Sequence, residues 1–169
     1  MTELLEITLG DRLRRRGWKL ATAESCTGGL IGHRLTNVAG SSDYFVGGVV
    51  AYAYAAKVAL LGVSWETLKV HGAVSREVVL EMALGARRVL GAELAVSVSG
   101  IAGPGGGLPL KPVGTTWTGL AAPDGEWARL FCFEGDREQN KAQAAEAALQ
   151  LLADYLDGLH PLDADRSSP

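Results

Sequence analysis

Leucines recur at four-residue intervals at the start of the chain. Leu5, Leu9 and Leu13 fall within residues 2–16, and Gly17 follows directly. That spacing puts them on one face of a helix, and the glycine is a stop signal. Residues 18–23 read as a short strand, and a second helix starts near Thr27 with Leu30, Ile31 and Leu35 along one face. A polar connection, 37–43, precedes a run from Phe45 to Ala53 rich in valine and aromatics, which predicts a strand with Gly47-Gly48 as a bulge. Two short helical pieces flank Gly62. Ser75 is a fitting N-cap for a stronger helix with the stripe Val78, Val79, Met82, Ala86 and Leu90, ended by Gly91. Leu94 to Ser99 reads as a buried strand that enters the glycine-rich loop 100–107. Residues 115–121 and 127–133 predict a hairpin across Pro123-Asp124-Gly125, and 137–156 a final helix.

Helices alternating with strands, followed by a hairpin, predict an α/β domain of three layers, α/β/α, around a mixed sheet. No repeat or linker divides it, so residues 1–160 read as one domain and 161–169 as a disordered tail. The glycine-bearing loops 26–29 and 100–107 each leave the end of a predicted strand. Ligands of open α/β sheets sit at the carboxyl ends of strands, so both loops would face one crevice.

Composition narrows the classes. With 47% hydrophobic and 21% charged residues the chain reads as an ordinary globular protein, and a net charge of −3 argues against a nonspecific grip on nucleic acid. The basic run from Arg12 to Arg16 ends a helix, where cations suit the dipole, so a solvated face is favoured over a docking patch. Two cysteines, Cys26 and Cys132, form no CxxC pair, and no apolar run approaches a membrane span or a signal peptide. A cytoplasmic location and no membrane partner are expected.

Familiar signatures are missing. There is no GxxxxGK[ST] and no GxGxxG after the first strand, and a YxxxK pair ending at Lys57 would need a tyrosine where Ala53 stands. A GxSxG elbow is absent because Ala23 and Thr27 hold the glycine positions around Ser25. The three histidines, His33, His71 and His160, show no metal-binding spacing. If Ser25 is a nucleophile, a lysine becomes the candidate base, and Lys57 has the most apolar surroundings of any lysine here. Burial lowers a lysine pKa and frees the amine to act as a base. The plainer alternatives are a helix cap for Ser25, a small buried hydrophobe for Cys26 and a lysine reaching out to water for Lys57.

The segments AESCTGG (23–29), GSSDYFVGGVVAY (40–52), Lys57 with LLGV (60–63), HGAVS (71–75), GIAGPGGG (100–107), KPVGT (111–115) and GDR (135–137) run in this order. Together they closely resemble the carboxy-terminal domain of competence/damage-inducible CinA-type proteins, whose stand-alone form is a nicotinamide-mononucleotide amidohydrolase. The resemblance covers roughly residues 5–155, and the amino-terminal domain of full-length CinA proteins is not expected in this chain. It implies a mixed, mainly parallel five-stranded sheet and a homo-oligomer. It also implies hydrolysis of the carboxamide of nicotinamide mononucleotide to nicotinic acid mononucleotide and ammonia, with no metal or other cofactor. Two departures stand out: Ala53-Tyr54 where Ser-Asn is usual after the tyrosine, and Lys141 where an arginine is often found.

The family's serine falls on Ser25, its lysine on Lys57 and its strand tyrosine on Tyr52, which would orient the lysine or relay a proton. Cys26 and Thr27 would support substrate binding, with the oxyanion held by backbone N–H groups near Thr27 and Gly28 at a helix start. Gly28 and Gly29 would let the substrate approach. Gly100, Ile101, Ala102 and Gly103 would form the opposite wall, and Ser41, Ser42 and Arg137 are candidate phosphate donors. For Arg137 an ordinary charge at a helix start is equally open. Two rivals remain at this stage: a Cys26 thiolate enzyme, and a noncatalytic nucleotide-binding or interaction module.

Overall fold

The computed structural model describes residues 4–159. The tail expected at 161–169 and His160 lie outside them. Six helices and five strands follow one another as α1 (Leu5–Arg16), β1 (Leu20–Glu24), α2 (Leu30–Thr36), β2 (Phe45–Val50), α3 (Tyr54–Leu61), α4 (Trp65–His71), α5 (Arg76–Leu90), β3 (Leu94–Gly100), β4 (Thr115–Ala122), β5 (Gly125–Cys132) and α6 (Arg137–Leu156). The sheet order is β2-β1-β3-β4-β5. β1 is parallel to both β2 and β3, whereas β4 is antiparallel to its neighbours β3 and β5, so only β4 runs against the rest.

Period-two alternation along the strands sorts side chains into two cores. Leu20, Leu94, Val96 and Leu120 meet Leu9 and Leu13 of α1, Ile31 and Leu35 of α2, and Leu149 and Leu152 of α6. On the other face the small residues Ala21, Ala23 and Ala95 meet Val78, Met82 and Ala86 of α5, together with Leu61, Val63 and Leu68. Small side chains there let α5 lie close to the sheet. A Cβ at Gly119 would stand 2.8 Å from the Val79 carbonyl oxygen, and one at Gly85 would stand 2.0 Å from that of Leu61. Some of the glycines therefore serve packing rather than a ligand.

Local signals act where the sequence put them. Gly17 and Gly91 close α1 and α5 in the left-handed conformation, and Ser75 Oγ accepts the Val78 N–H at the start of α5. Asp136 and Gln139 form a capping box on α6. A register slip does interrupt β2, but at Val46 rather than at the expected Gly47-Gly48, with Leu20 facing Phe45 and Ala21 facing Gly47, and β2 ends at Val50 rather than Ala53. α2 starts at Leu30, three residues later than expected, because residues 26–29 form a tight turn that Gly28 and Gly29 allow with φ of 62° and 104°.

Candidate active site

The strand ends bring the site together. β1 delivers Ser25, whose N–H continues the ladder to the Val98 carbonyl (3.1 Å). Alternation sends Glu24 and Ser25 to opposite layers. Ser25 meets Lys57 of α3, and their Oγ and Nζ lie 2.9 Å apart with only 8% and 1% of the two residues exposed. Nζ also donates to the carbonyls of Ala51 (2.9 Å) and Tyr52 (3.2 Å). A neutral amine has two N–H bonds and one lone pair. With both N–H bonds on carbonyls, the lone pair is left for the Ser25 hydroxyl proton. Once protonated, the ammonium has three acceptors for three N–H bonds, so the site accommodates both forms. Burial pushes the Lys57 pKa down from 10.5 to about 8, towards the range where a general base works at neutral pH.

Glu24 faces the other layer and was not singled out from the sequence. It is buried, and its carboxylate accepts from Thr27 Oγ1 (2.6 Å) and from the N–H groups of Gly29 (3.1 Å), Ile31 (3.1 Å) and Gly32 (2.9 Å). It replaces the side-chain cap that Gly29 cannot supply. The sign to look for was an acid three to eight residues before its donors, on a strand end rather than at the cap position. The expectation for the oxyanion changes as a result. The α2 donors are committed to Glu24, and Gly28 N–H donates to Ser25 O (3.1 Å). The N–H groups of Cys26 and Thr27, the next two along the chain from Ser25, bond no protein acceptor among the described residues. Glu24→Gln should cost about 2–4 kcal/mol, because it turns an amide donor towards buried donors that now share a carboxylate. Urea unfolding measures this, and a change below about 0.5 kcal/mol would refute the capping role.

A cavity of about 210 Å³ opens over the pair, lined by Ser25, Cys26, Tyr52, Lys57, Ala73, Val74, Ser99, Gly100, Ala102 and Arg137. The structure thus gathers seven of the anticipated residues and adds Ala73, Val74 and Ser99. Ala73 is clamped from both sides. Its N–H donates to Tyr54 Oη (3.2 Å) and its carbonyl accepts from Ser99 Oγ (2.8 Å), so the unusual Tyr54 pins the wall instead of narrowing the cavity. Tyr52 is 61% exposed, and its hydroxyl accepts from Arg137 Nη2 (3.1 Å). The lysine is held by the Tyr52 carbonyl, not its phenol, so the expected proton relay through the hydroxyl is not formed.

Other anticipated residues lie outside the cavity. Thr27 turns towards Glu24, Gly28 and Gly29 shape the turn, and Ile101 is tied by its backbone to Gly114 and Thr115. Gly103 uses its carbonyl to accept from Arg137 Nη1 (2.7 Å). Ser41 and Ser42 are misplaced by the sequence reading. They form a 3₁₀ turn before β2, and since β2 parallels β1 that turn lies at the opposite end of the strands from Ser25. Cys26 sits beside Ser25 but is buried, which pushes its thiol up to about 11 and keeps it protonated near neutrality. That removes the basis for a thiolate nucleophile. Among the described residues no three His, Cys, Asp or Glu side chains group as metal ligands, and no helix is long and apolar enough to cross a membrane.

A larger cavity of about 400 Å³ beside Trp18 and Tyr155 is lined by no serine, cysteine or lysine among the described residues. A model of the CinA C-terminal domain family matches residues 2–156. The chain is 55% identical over 146 residues to a CinA-like protein of Salinibacter ruber, covering 86% of this chain but about a third, 35%, of that relative. It is 53% identical to the nicotinamide-nucleotide amidohydrolase PncC of Enterobacter agglomerans, covering 86% of this chain and 90% of that one. A crystal structure of competence damage-inducible protein A from Klebsiella pneumoniae superposes with a TM-score of 0.88 at 40% identity, covering 90% of this chain and 95% of that one.

Proposed function

The chain belongs to the CinA C-terminal domain family, and from that premise we propose that it is a nicotinamide-nucleotide amidase of the serine/lysine type. It converts nicotinamide mononucleotide and water to nicotinic acid mononucleotide and ammonia. The observation that carries this reading is the buried 2.9 Å approach of Lys57 Nζ to Ser25 Oγ, with both remaining N–H bonds on carbonyls. Relatives named for this activity lend the substrate.

In the first half-reaction neutral Lys57 takes the Ser25 proton as Oγ attacks the carboxamide carbon. The oxyanion of the tetrahedral intermediate accepts from the Cys26 and Thr27 N–H groups. The Lys57 ammonium then gives its proton to the departing nitrogen, the C–N bond breaks, and ammonia leaves an acyl-serine ester. In the second half-reaction Lys57 takes a proton from water, and the hydroxide attacks the ester. The carboxylic acid forms as Ser25 Oγ recovers its proton. Arg137, at the cavity mouth, is the candidate phosphate donor that remains once Ser41 and Ser42 are set aside. The enzyme is further proposed to work in the cytoplasm as a homo-oligomer.

The test is ammonia release from nicotinamide mononucleotide with EDTA present. Turnover supports the amidase, and binding without turnover would favour a noncatalytic nucleotide-binding module. The pH profile gives a second test. The active base is the unprotonated amine, so kcat/KM should rise as pH climbs through about 8 and fall about tenfold per unit below it. A flat profile between pH 6 and 9 would remove Lys57 as the base.

A further inference from the structure

The wall between the Ser25 cavity and its neighbour is held by a side chain with no part in the chemistry. A second cavity of about 520 Å³ is lined by Ala102, Pro104, Val113, Gly135, Asp136, Arg137 and Glu138, and it shares Ala102 and Arg137 with the first. These two shared residues are the partition. Both are positioned from the first turn of α6. Arg137 Nη1 holds the Gly103 carbonyl, and Asn140 Nδ2 holds the Ala102 carbonyl (3.1 Å).

Asn140 is only 2% exposed, and its amide is fully used. Nδ2 also donates to the Gly135 carbonyl (2.9 Å), and Oδ1 accepts the Gly135 N–H (3.0 Å). Two carbonyls on one side and one N–H on the other leave a single amide orientation that satisfies every partner. Gly135 is bound into the same arrangement, for a Cβ there would lie 2.6 Å from Gln139 Cβ and 3.2 Å from Asn140 Oδ1. One carboxamide thus ties the 102–103 segment, the 135 turn and the helix that carries Arg137.

We propose that Asn140 is a positioning residue that fixes the Ala102–Arg137 partition and so sets how tightly the nucleotide part of the substrate is held. This rests on the proposed amidase reading. The carboxamide reacts at Ser25, and Asn140 shares no hydrogen bond with the Ser25–Lys57 pair among the described residues, so the effect belongs to binding rather than to the chemical step. Aspartate keeps the shape but loses both donors and sets a charge against two carbonyls.

The experiment compares wild type, Asn140→Asp and Asp154→Asn on nicotinamide mononucleotide. Asp154→Asn weakens the half-buried Arg129–Asp154 pair farther along α6 and controls for loss of stability alone. Asn140→Asp should raise KM about tenfold or more with kcat within about threefold of wild type, whereas Asp154→Asn leaves KM unchanged at a comparable loss of Tm. The same comparison by calorimetric binding to Ser25→Ala protein, with and without Asn140→Asp, should show an equal loss of affinity. An unchanged KM in a melted-down Asn140→Asp, or a fall in kcat at constant KM, overturns the proposal. Wild type that neither binds nor turns over the nucleotide overturns the amidase reading and this inference with it. Wild type that does both while Asn140→Asp matches it overturns this inference alone.

Discussion

Ser25→Ala is expected to lower ammonia release by at least about 10⁴-fold while leaving Tm within a few degrees, because it deletes the nucleophile and little packing. The residue is small and mostly buried, and its backbone N–H keeps the bond to Val98. Cys26→Ala is the matched control. Its thiol is protonated near neutrality, so kcat should stay within about threefold of wild type. Steady-state ammonia release from both variants decides the matter. Activity lost in Cys26→Ala and kept in Ser25→Ala would reverse the assignment of the nucleophile.

Lys57→Met is expected to reduce kcat by roughly 10³–10⁴-fold and to change stability in a pH-dependent way. Burial holds the lysine pKa near 8 in the folded protein against 10.5 when free. The sign follows from proton binding. Between these values the unfolded chain binds more protons, so wild-type stability rises with pH across that window. Below about pH 8 the fold carries the full penalty, on the order of 3 kcal/mol, and above about 10.5 it carries none. Methionine has no such penalty. Part of its gain at pH 7 is offset by the Ala51 and Tyr52 carbonyls that lose their donor. The informative quantity is the stability difference between variant and wild type, which should move towards wild type as pH rises from 8 to 10.5. Urea unfolding at pH 7, 9 and 10.5 measures it, and a difference independent of pH would mean that Lys57 is not desolvated in the fold.

The element order was legible because its signals are short-range. The leucine spacing of α1, the glycine stops at 17 and 91, the Ser75 cap and the span of α6 are each decided within a few residues. The start of α2 was misjudged because the deciding group, the Glu24 carboxylate, precedes the helix and reaches forward from a strand end. Ser41 and Ser42 were misjudged because small polar residues near a loop carry no mark of which end of the sheet they occupy. Asn140 escaped notice because a lone asparagine in a helix looks solvent-facing until its partners, at positions 102 and 135, are folded beside it.

Ser25 and Lys57 stand 32 residues apart; apolar surroundings made Lys57 the candidate base, and the family resemblance favoured the pair over the plainer alternatives before the fold was known. The amino-acid sequence by itself determined the order of the helices and strands and most of their ends, which residues are apolar on one face, and that a serine in a strand-to-helix turn and a lysine in apolar surroundings were present. Tertiary structure alone decided that alternation turns Glu24 towards α2 and Ser25 towards Lys57. It also decided that the lysine's two N–H bonds fall on the carbonyls of residues 51 and 52, and that Cys26 is too buried to ionise. The reason is physical. Propensity and capping act through neighbours along the chain, whereas a pKa and a nucleophile–base distance depend on what the other layers bring to the same point.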